Sequence, residues 1–316
     1  MERIEPDLKY VDQAVDLVIN AYQEERRAVP FLPYGGDHRD KLKNSIQKLF
    51  NEGSGILFVE DDKLFGFLVG YKNRELFGKS DGIYSPIYGH GALCDRIKTY
   101  QRMYDITAKQ WVEDERLSHV ITTFAHDTDL VDTWFWLGFG LRCVDSMKKV
   151  SPMGKDTITD VKKATLEDMQ TIGVLHKQHN LYYRNSPVFM PNPYEDPVED
   201  LNNWLKDDDR HIWIAYENEI PVGYIRIQPT AESFISEDPN VMNITGIFVE
   251  RDHRCSGIAT SLLGCVQNWL HENDYDLLGV DFESINYLGS NFWNRYFTPY
   301  MYSLTRRVDE RIMNIR

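Results

Sequence analysis

NITGIFVERDHRCSGIATSLL, Asn243 to Leu263, is the stretch on which the reading of this chain turns. An apolar run of β character, Ile244 to Val249, passes through a charged loop, Glu250 to Arg254, into Arg254-Cys-Ser-Gly257-Ile-Ala259. Apolar residues at Ile258, Leu262, Leu263, Val266, Trp269 and Leu270 then recur with helical spacing. The first N–H groups of a helix lack partners within it and carry the positive end of its dipole. Gly257 and Ala259 have almost no side chain to keep an anion from those amides, and Arg254 adds a cation able to bond phosphate oxygens in a fork. Taken alone, the segment reads equally as an anion site or as an ordinary strand–loop–helix connection.

Outward from this segment, the chain repeats itself. Ile56 to Gly70 and Ile212 to Ile227 each read as a β-hairpin, and Glu60 and Gly66 of the first correspond to Glu217 and Gly223 of the second. The helical pattern from Tyr10 to Tyr22 has its counterpart in Thr165 to Leu175. Trp134 and Trp293 stand late in each half, followed by Lys148-Lys149 and Arg306-Arg307. The separation of all these pairs is nearly constant, so the sequence reads as a tandem duplication of an α/β domain of about 150 residues. The expected domains are 1–150 and 157–316, joined through the turn-rich Val150 to Thr157. Each copy is expected to run strand, helix, helix, a hairpin of two or three strands, helix, strand, helix, strand: a mixed central sheet flanked by helices.

With a formal net charge of −14, the chain is a poor match to a phosphate-rich partner, which argues against nucleic acid and favours amine-bearing ligands. No apolar run reaches the ~20 residues of a membrane helix, and the charged N-terminus lacks a signal-peptide core. Cys94, Cys143, Cys255 and Cys265 form no CxxC pair, so neither zinc nor a disulfide framework is indicated. A reduced, cytoplasmic protein is expected. Nothing in the sequence sets an oligomeric state.

Beyond the opening stretch, Leu277 to Asn286 reads as a strand ending at an Asn, and Tyr287 to about Tyr296 as a short aromatic helix. At these residues the second copy resembles the GCN5-related N-acetyltransferase (GNAT) family. Arg254-x-x-Gly257-x-Ala259 fits that family's Arg/Gln-x-x-Gly-x-Gly/Ala motif, and Asn286 stands where an Asn follows its fifth strand. The resemblance implies two tandem acyl-CoA N-acyltransferase-like domains, the second holding acetyl-CoA and passing its acyl group to an amine of a small molecule or peptide. By position, the main chain of Ile247, Phe248 and Val249 would pair with the pantetheine arm. The amides of Arg254, Cys255, Ser256, Gly257, Ile258, Ala259 and Thr260 would hold the pyrophosphate, with Asn286 and Trp293 flanking the thiol end. Two departures stand out. Trp293 occupies the place of the tyrosine that protonates the leaving thiolate, and Asn243 and Thr245 stand where acids are common. A non-catalytic sensor of coenzyme A or a nucleotide is the alternative reading.

Acyl transfer to an amine needs a neutral nucleophile, and a lysine-like amine is neutral in only about one molecule in 2,500 at pH 7, a cost of roughly 4.6 kcal/mol. A positioned base offsets much of this. Glu250, Asp281 and Glu283 are the candidate bases, the last two on one face of the fifth strand by their alternation with Val280 and Phe282. Against each stands the plainer reading of a solvated surface charge. Tyr296 and Tyr300 are candidate proton donors, and Cys255 is a conceivable nucleophile at a helix start. No convincing enzyme nucleophile emerges, so direct attack is expected. His176 and His179, one helical turn apart, lack a third ligand nearby and read as a polar helix face instead of a metal site. Tyr182 to Tyr194, rich in aromatics and prolines, is expected to be a loop beside the acceptor. In the first copy, Gly82 to Leu93 carries no such motif; Gly89 and Gly91 are the only nest candidates there, and Pro86 removes a strand donor. One working cofactor site is expected.

Overall fold

A computed structural model of the chain describes residues 2–34, 38–153, 160–191 and 196–315. Parts of three expected connections, at Gly35-Gly36, 154–157 and 192–194, lie outside the described residues. The chain divides into two compact units, Met1–Asp145 with Pro299–Arg316, and Ser146–Thr298.

The first unit runs β1 (Glu2–Ile4), α1 (Val11–Ala28), α2 (His38–Glu52), β2 (Ser54–Glu60), β3 (Lys63–Asn73), β4 (Gly82–Ser85), β5 (His90–Ala92), α3 (Arg96–Glu113), β6 (Ser118–Phe124), α4 (Thr128–Trp136) and into β7 (Gly140–Lys149). The second runs β8 (Asp160–Lys163), α5 (Met169–Arg184), α6 (Pro197–Trp204), β9 (His211–Glu217), β10 (Ile220–Gln228), β11 (Val241–Val249), α7 (Ile258–Glu272), β12 (Leu277–Glu283) and α8 (Tyr287–Trp293). A last strand, β13 (Thr298–Arg307), lies almost wholly in the first unit and pairs antiparallel with β6 from Met301↔Phe124 to Arg307↔Ser118. The compact units therefore differ from the continuous halves expected at 1–150 and 157–316: the last residues complete the first unit, not the second. A strand pattern announces a strand and its buried face but not the neighbour it will pair with.

Up to the last strand, the expected element order recurs in both units as an α/β fold with a mixed sheet. Strands β1 to β4 pair antiparallel in turn, and β4 then pairs parallel with β6. Strands β8 to β11 repeat the antiparallel series, and β11 pairs parallel with β12. Both leading hairpins turn on two residues with positive φ, Asp61-Asp62 and Asn218-Glu219, the backbone sense that matches strand twist across a two-residue loop. Each unit has its own core. Trp134, fully buried in the first, meets Tyr100, Tyr104 and Phe139 at 5.7, 5.7 and 5.2 Å in edge contacts. Ile172, Leu201, Ile212, Tyr224 and Phe248 anchor the second.

Candidate active site

In the second unit, β11 and β12 part company halfway along. Their parallel pairing runs from Val241↔Leu277 to Ile244↔Val280 and goes no further. On its other side β11 stays paired with β10 as far as Val249, with Thr245 as an extra residue between Ile244↔Ile227 and Gly246↔Arg226. A bulge bends and twists its strand, which accounts for the divergence at this point. Burial changes in step: Val241 to Ile244 are buried, whereas Thr245, Gly246, Ile247 and Val249 are half-buried and only Phe248 turns into the core. The main chain of Thr245 to Val249 is thus without a β12 partner, and the hydroxyl of Thr245 is buried with no hydrogen bond.

The loop after β11 is built to end close to helix amides. A turn of 3₁₀ helix, Arg251–His253, precedes Cys255 and Gly257, both in the left-handed region at φ 62° and 92°. Gly257 is the N-cap of α7 and supplies no capping side chain, so the first amides of the helix keep their capacity for an outside acceptor. Gly257 tolerates its φ because it lacks a Cβ. Arg254 behaves otherwise than expected. Its Nε donates to the Val249 carbonyl at 3.0 Å, and its guanidinium lies 4.8 Å from the Tyr182 ring centre and 5.7 Å from that of Phe248. Part of its donor set thus pins the loop to the strand end. Cys255 and Ser256 are exposed, with Ser256 Oγ donating to the His253 carbonyl at 2.6 Å. Ile258 is buried, Ala259 half-buried, and Thr260 Oγ1 lies 3.2 Å from the Tyr296 hydroxyl.

The far side of the opening comes from β12, α8 and α5. Asn286 caps α8, accepting from the Gly289 N–H at 3.4 Å and from the Tyr182 hydroxyl at 2.6 Å. Tyr182 therefore links α5 to the β12–α8 turn while its ring carries Arg254. Asp281 is open to solvent and Glu283 half-buried, while Val280 and Phe282, which alternate with them, are buried. Asp281 is crowded by protein although water reaches it. That desolvation, and secondarily the charge of Glu232, pushes its carboxyl up to about 6. Glu250 is fixed by Gln178, whose Nε2 donates to it at 3.0 Å, and by a longer 4.0 Å contact with His253. The Tyr183 phenol is driven up to about 12 by burial and by the charges of Asp281 and Glu283.

Residues 176–288 match the model of the acetyltransferase (GNAT) family. The second unit is a GNAT-family domain. Among solved structures, a GCN5-related N-acetyltransferase from Sphaerobacter thermophilus has a TM-score of 0.64 at 12% identity, with 97% of this chain and 95% of that chain covered. At that identity the likeness speaks for the fold, and it does so over both units. A ribosomal-protein-alanine N-acetyltransferase from Brucella melitensis biovar Abortus 2308 gives 0.35 at 17% identity over 43% of this chain and 89% of its own. No curated protein gives a significant match.

Several expectations about this GNAT domain need correcting. The polar face expected at His176 and His179 packs inward: both bond the Tyr224 hydroxyl at 2.8 Å, and His176 is buried. Tyr224 is remote from them in sequence, so the helical pattern alone does not reveal the pairing. Tyr182 and Tyr183 belong to the last turn of α5, not to a loop. Trp293 is buried against Phe292 and Phe297 at 4.9 and 5.3 Å. Tyr300 is buried in the first unit, leaving Tyr296 as the tyrosine of that pair in the GNAT domain. Asn243 is structural, donating to the carbonyls of Pro229 and Ser236 at 3.3 and 2.9 Å. No cluster able to hold a metal occurs among the described residues.

The first unit diverges where the second has its opening. β4 stops at Ser85, before Pro86, and β5 turns back to pair with β3. The nest expected at Gly89 is not free, because the Gly89 N–H donates to the Pro86 carbonyl at 2.7 Å and Gly91 is in the β3 ladder. An open cavity of 340 Å³ at the start of α3 is lined by Arg96 but also by Asp95 and Asp129, and Asp127 is paired with Arg96.

Proposed function

We propose that the second unit transfers an acetyl group from coenzyme A to an amine of a small molecule or peptide by direct attack. One observation carries this reading: β11 loses its β12 partner after Ile244 and leads straight into a helix start without a capping side chain. The residues fit the cosubstrate, since Gly257 and Ala259 leave the amides open and the strand edge is free of a β partner. The amides from Arg254 to Thr260 hold the pyrophosphate, the main chain of Ile247 to Val249 pairs with the pantetheine arm, and Asn286 borders the thiol end. Bound coenzyme supplies the acyl group as a thioester.

Asp281 takes the proton of the amine. A carboxyl that titrates near 6 is ionised at pH 7 yet remains a stronger base than an ordinary aspartate. Glu283 and Glu250 add negative charge that attracts a cationic acceptor. Free main-chain N–H groups on β11 polarise the thioester carbonyl. The first unit arose by duplication and does not bind the coenzyme, its strand being cut short at Pro86. The absence of disulfides among the described residues supports a reducing compartment, the cytoplasm.

Acetyl-CoA turnover against a broad amine panel tests the reading, with calorimetry of coenzyme A binding alongside. One coenzyme per chain is expected. Gly257→Glu abolishes binding by placing an anion at the pyrophosphate, and Gly257→Ala, which carries the same backbone strain without the charge, retains most of it. Equal binding by wild type and Gly257→Glu refutes the site. Binding without turnover on any amine replaces the enzyme by a coenzyme sensor.

A further inference from the structure

Four side chains beside the opening form a chain of hydrogen bonds whose direction is set at one end. His176 Nε2 lies 3.2 Å from Asp200 Oδ2, His176 Nδ1 lies 2.8 Å from the Tyr224 hydroxyl, and that hydroxyl lies 2.8 Å from His179 Nδ1. A carboxylate only accepts, so the proton of a neutral His176 is on Nε2 and its Nδ1 is a lone pair. The single hydroxyl proton of Tyr224 is then donated to His176. Its oxygen accepts from His179, whose proton is on Nδ1. His179 Nε2 is left as a lone pair.

We propose that Asp200, His176 and Tyr224 are positioning residues that present this Nε2 lone pair of His179 to an N–H of the acceptor amine. The inference rests on the acyltransferase reading and adds to it a residue of the acceptor side. The ring of His179 stacks on Phe248 at 5.4 Å and 30°, and meets the Tyr183 ring edge-on at 5.0 Å. Phe248 belongs to the length of β11 that has left β12, and Tyr183 feels the charges of Asp281 and Glu283. His179 therefore packs against the length of β11 that has left β12. Its surroundings keep it neutral. The groups facing it are His176 and Tyr183 on α5, Tyr224 and Arg226 on β10, Arg254 after β11, and Asp200 on α6 through His176. Burial, then the charges of His176, Arg226 and Arg254, push His179 down to about 3, and burial with Arg226 takes His176 to about 4. A protonated imidazole would repel an ammonium and offer it no lone pair. A neutral one in this tautomer accepts one amine N–H and leaves the amine's own lone pair free for attack.

The test is imidazole ¹⁵N NMR on the full chain without ligand, from pH 5 to 8. His176 is expected as the Nε2–H tautomer and His179 as the Nδ1–H tautomer, neither titrating in that range. Tyr224→Phe and Asp200→Ala, the second at a partly exposed position, should each admit the other tautomer at His179. A His179 that carries its proton on Nε2, that titrates above about pH 5.5, or that is unchanged in both variants overturns the relay. This readout needs no turnover, so failure of the amine panel would refute the acyltransferase reading and leave the relay standing or falling by itself. With an acceptor from the panel, Tyr224→Phe should raise its KM about tenfold and leave coenzyme A affinity unchanged. A KM that stays put after the tautomer is lost overturns the amine contact.

Discussion

Replacing Asp281 by Asn removes a charge that the fold resists and that the proposed reaction uses, so stability and activity should move in opposite directions. The carboxyl titrates near 6 in the folded chain against an ordinary 3.8. Below pH 3.8 both states hold the proton and the residue is neutral in its effect. Between 3.8 and 6 the unfolded chain releases the proton and the folded chain keeps it, so stability falls as pH rises and stays lower above 6. A rise of that size corresponds to ~3 kcal/mol undiscounted. Because water reaches the side chain, screening reduces this to about 1 kcal/mol. Asp281→Asn should therefore stabilise the chain by about 1 kcal/mol at pH 7.5, a Tm gain of about 2–4 °C for a unit of this size, and by much less at pH 4.5. Over the same range, kcat/KM of the wild type should climb as pH passes 6 and the carboxylate forms. The variant should lose that limb and about 10²–10⁴ in rate. Calorimetry at the two pH values and a pH–rate profile provide the measurements. A variant less stable than wild type at pH 7.5, or one that keeps the limb, refutes the assignment.

Two further outcomes follow from the backbone. Cys255 has φ 62° without being a glycine, so Cys255→Gly should raise stability by about 0.5–1 kcal/mol in thermal unfolding, with coenzyme binding intact. Truncation after Thr298 removes β13, the antiparallel partner of β6, and with it the fully buried Leu304. The α3–β6 region of the first unit should then be cut by limited proteolysis faster than in the wild type, while α5 and α7 of the second are cut no faster; an equal change in both contradicts the assignment of the last strand.

How far the sequence could be read depended on how local each feature is. Both hairpins are visible because apolar runs flank a polar turn, and Asp61-Asp62 and Asn218-Glu219 supply the turns. The start of α7 is visible because Gly257 and Ala259, two residues apart, are both small in one helix opening. Arg254 shows where local reading stops: its spacing suits a phosphate, but its Nε is spent on the Val249 carbonyl and its plane on Tyr182. Only the fold brings Tyr182 there. The inward packing of His176 and His179 is illegible for the same reason, since the hydroxyl that joins them comes from Tyr224 on another element. That the last strand belongs with the first unit is illegible because a strand's pattern encodes its faces and not its partner.

The contrast between the units explains why one opening exists and not two. Gly82–Ser85 pairs parallel with Ser118–Ile121, and Val241–Ile244 pairs parallel with Leu277–Val280 over the same four residues. Up to that point the two units use one scheme. In the second, Thr245 adds a bulge and the strand continues for four more residues, held by β10 on one side and without a β12 partner on the other. In the first, the next residue is Pro86, which has no N–H to give and cannot extend a ladder at that position. The chain folds back, β5 takes up the edge of β3, and the Gly89 amide closes on Pro86. Acidic Asp95 then stands at the N-cap of α3, where the second unit has Gly257. An anion site needs both a free strand edge and an uncapped, unopposed helix start. The first unit lacks each for a separate reason, so restoring a glycine at Asp95 alone would not recover the site without also replacing Pro86.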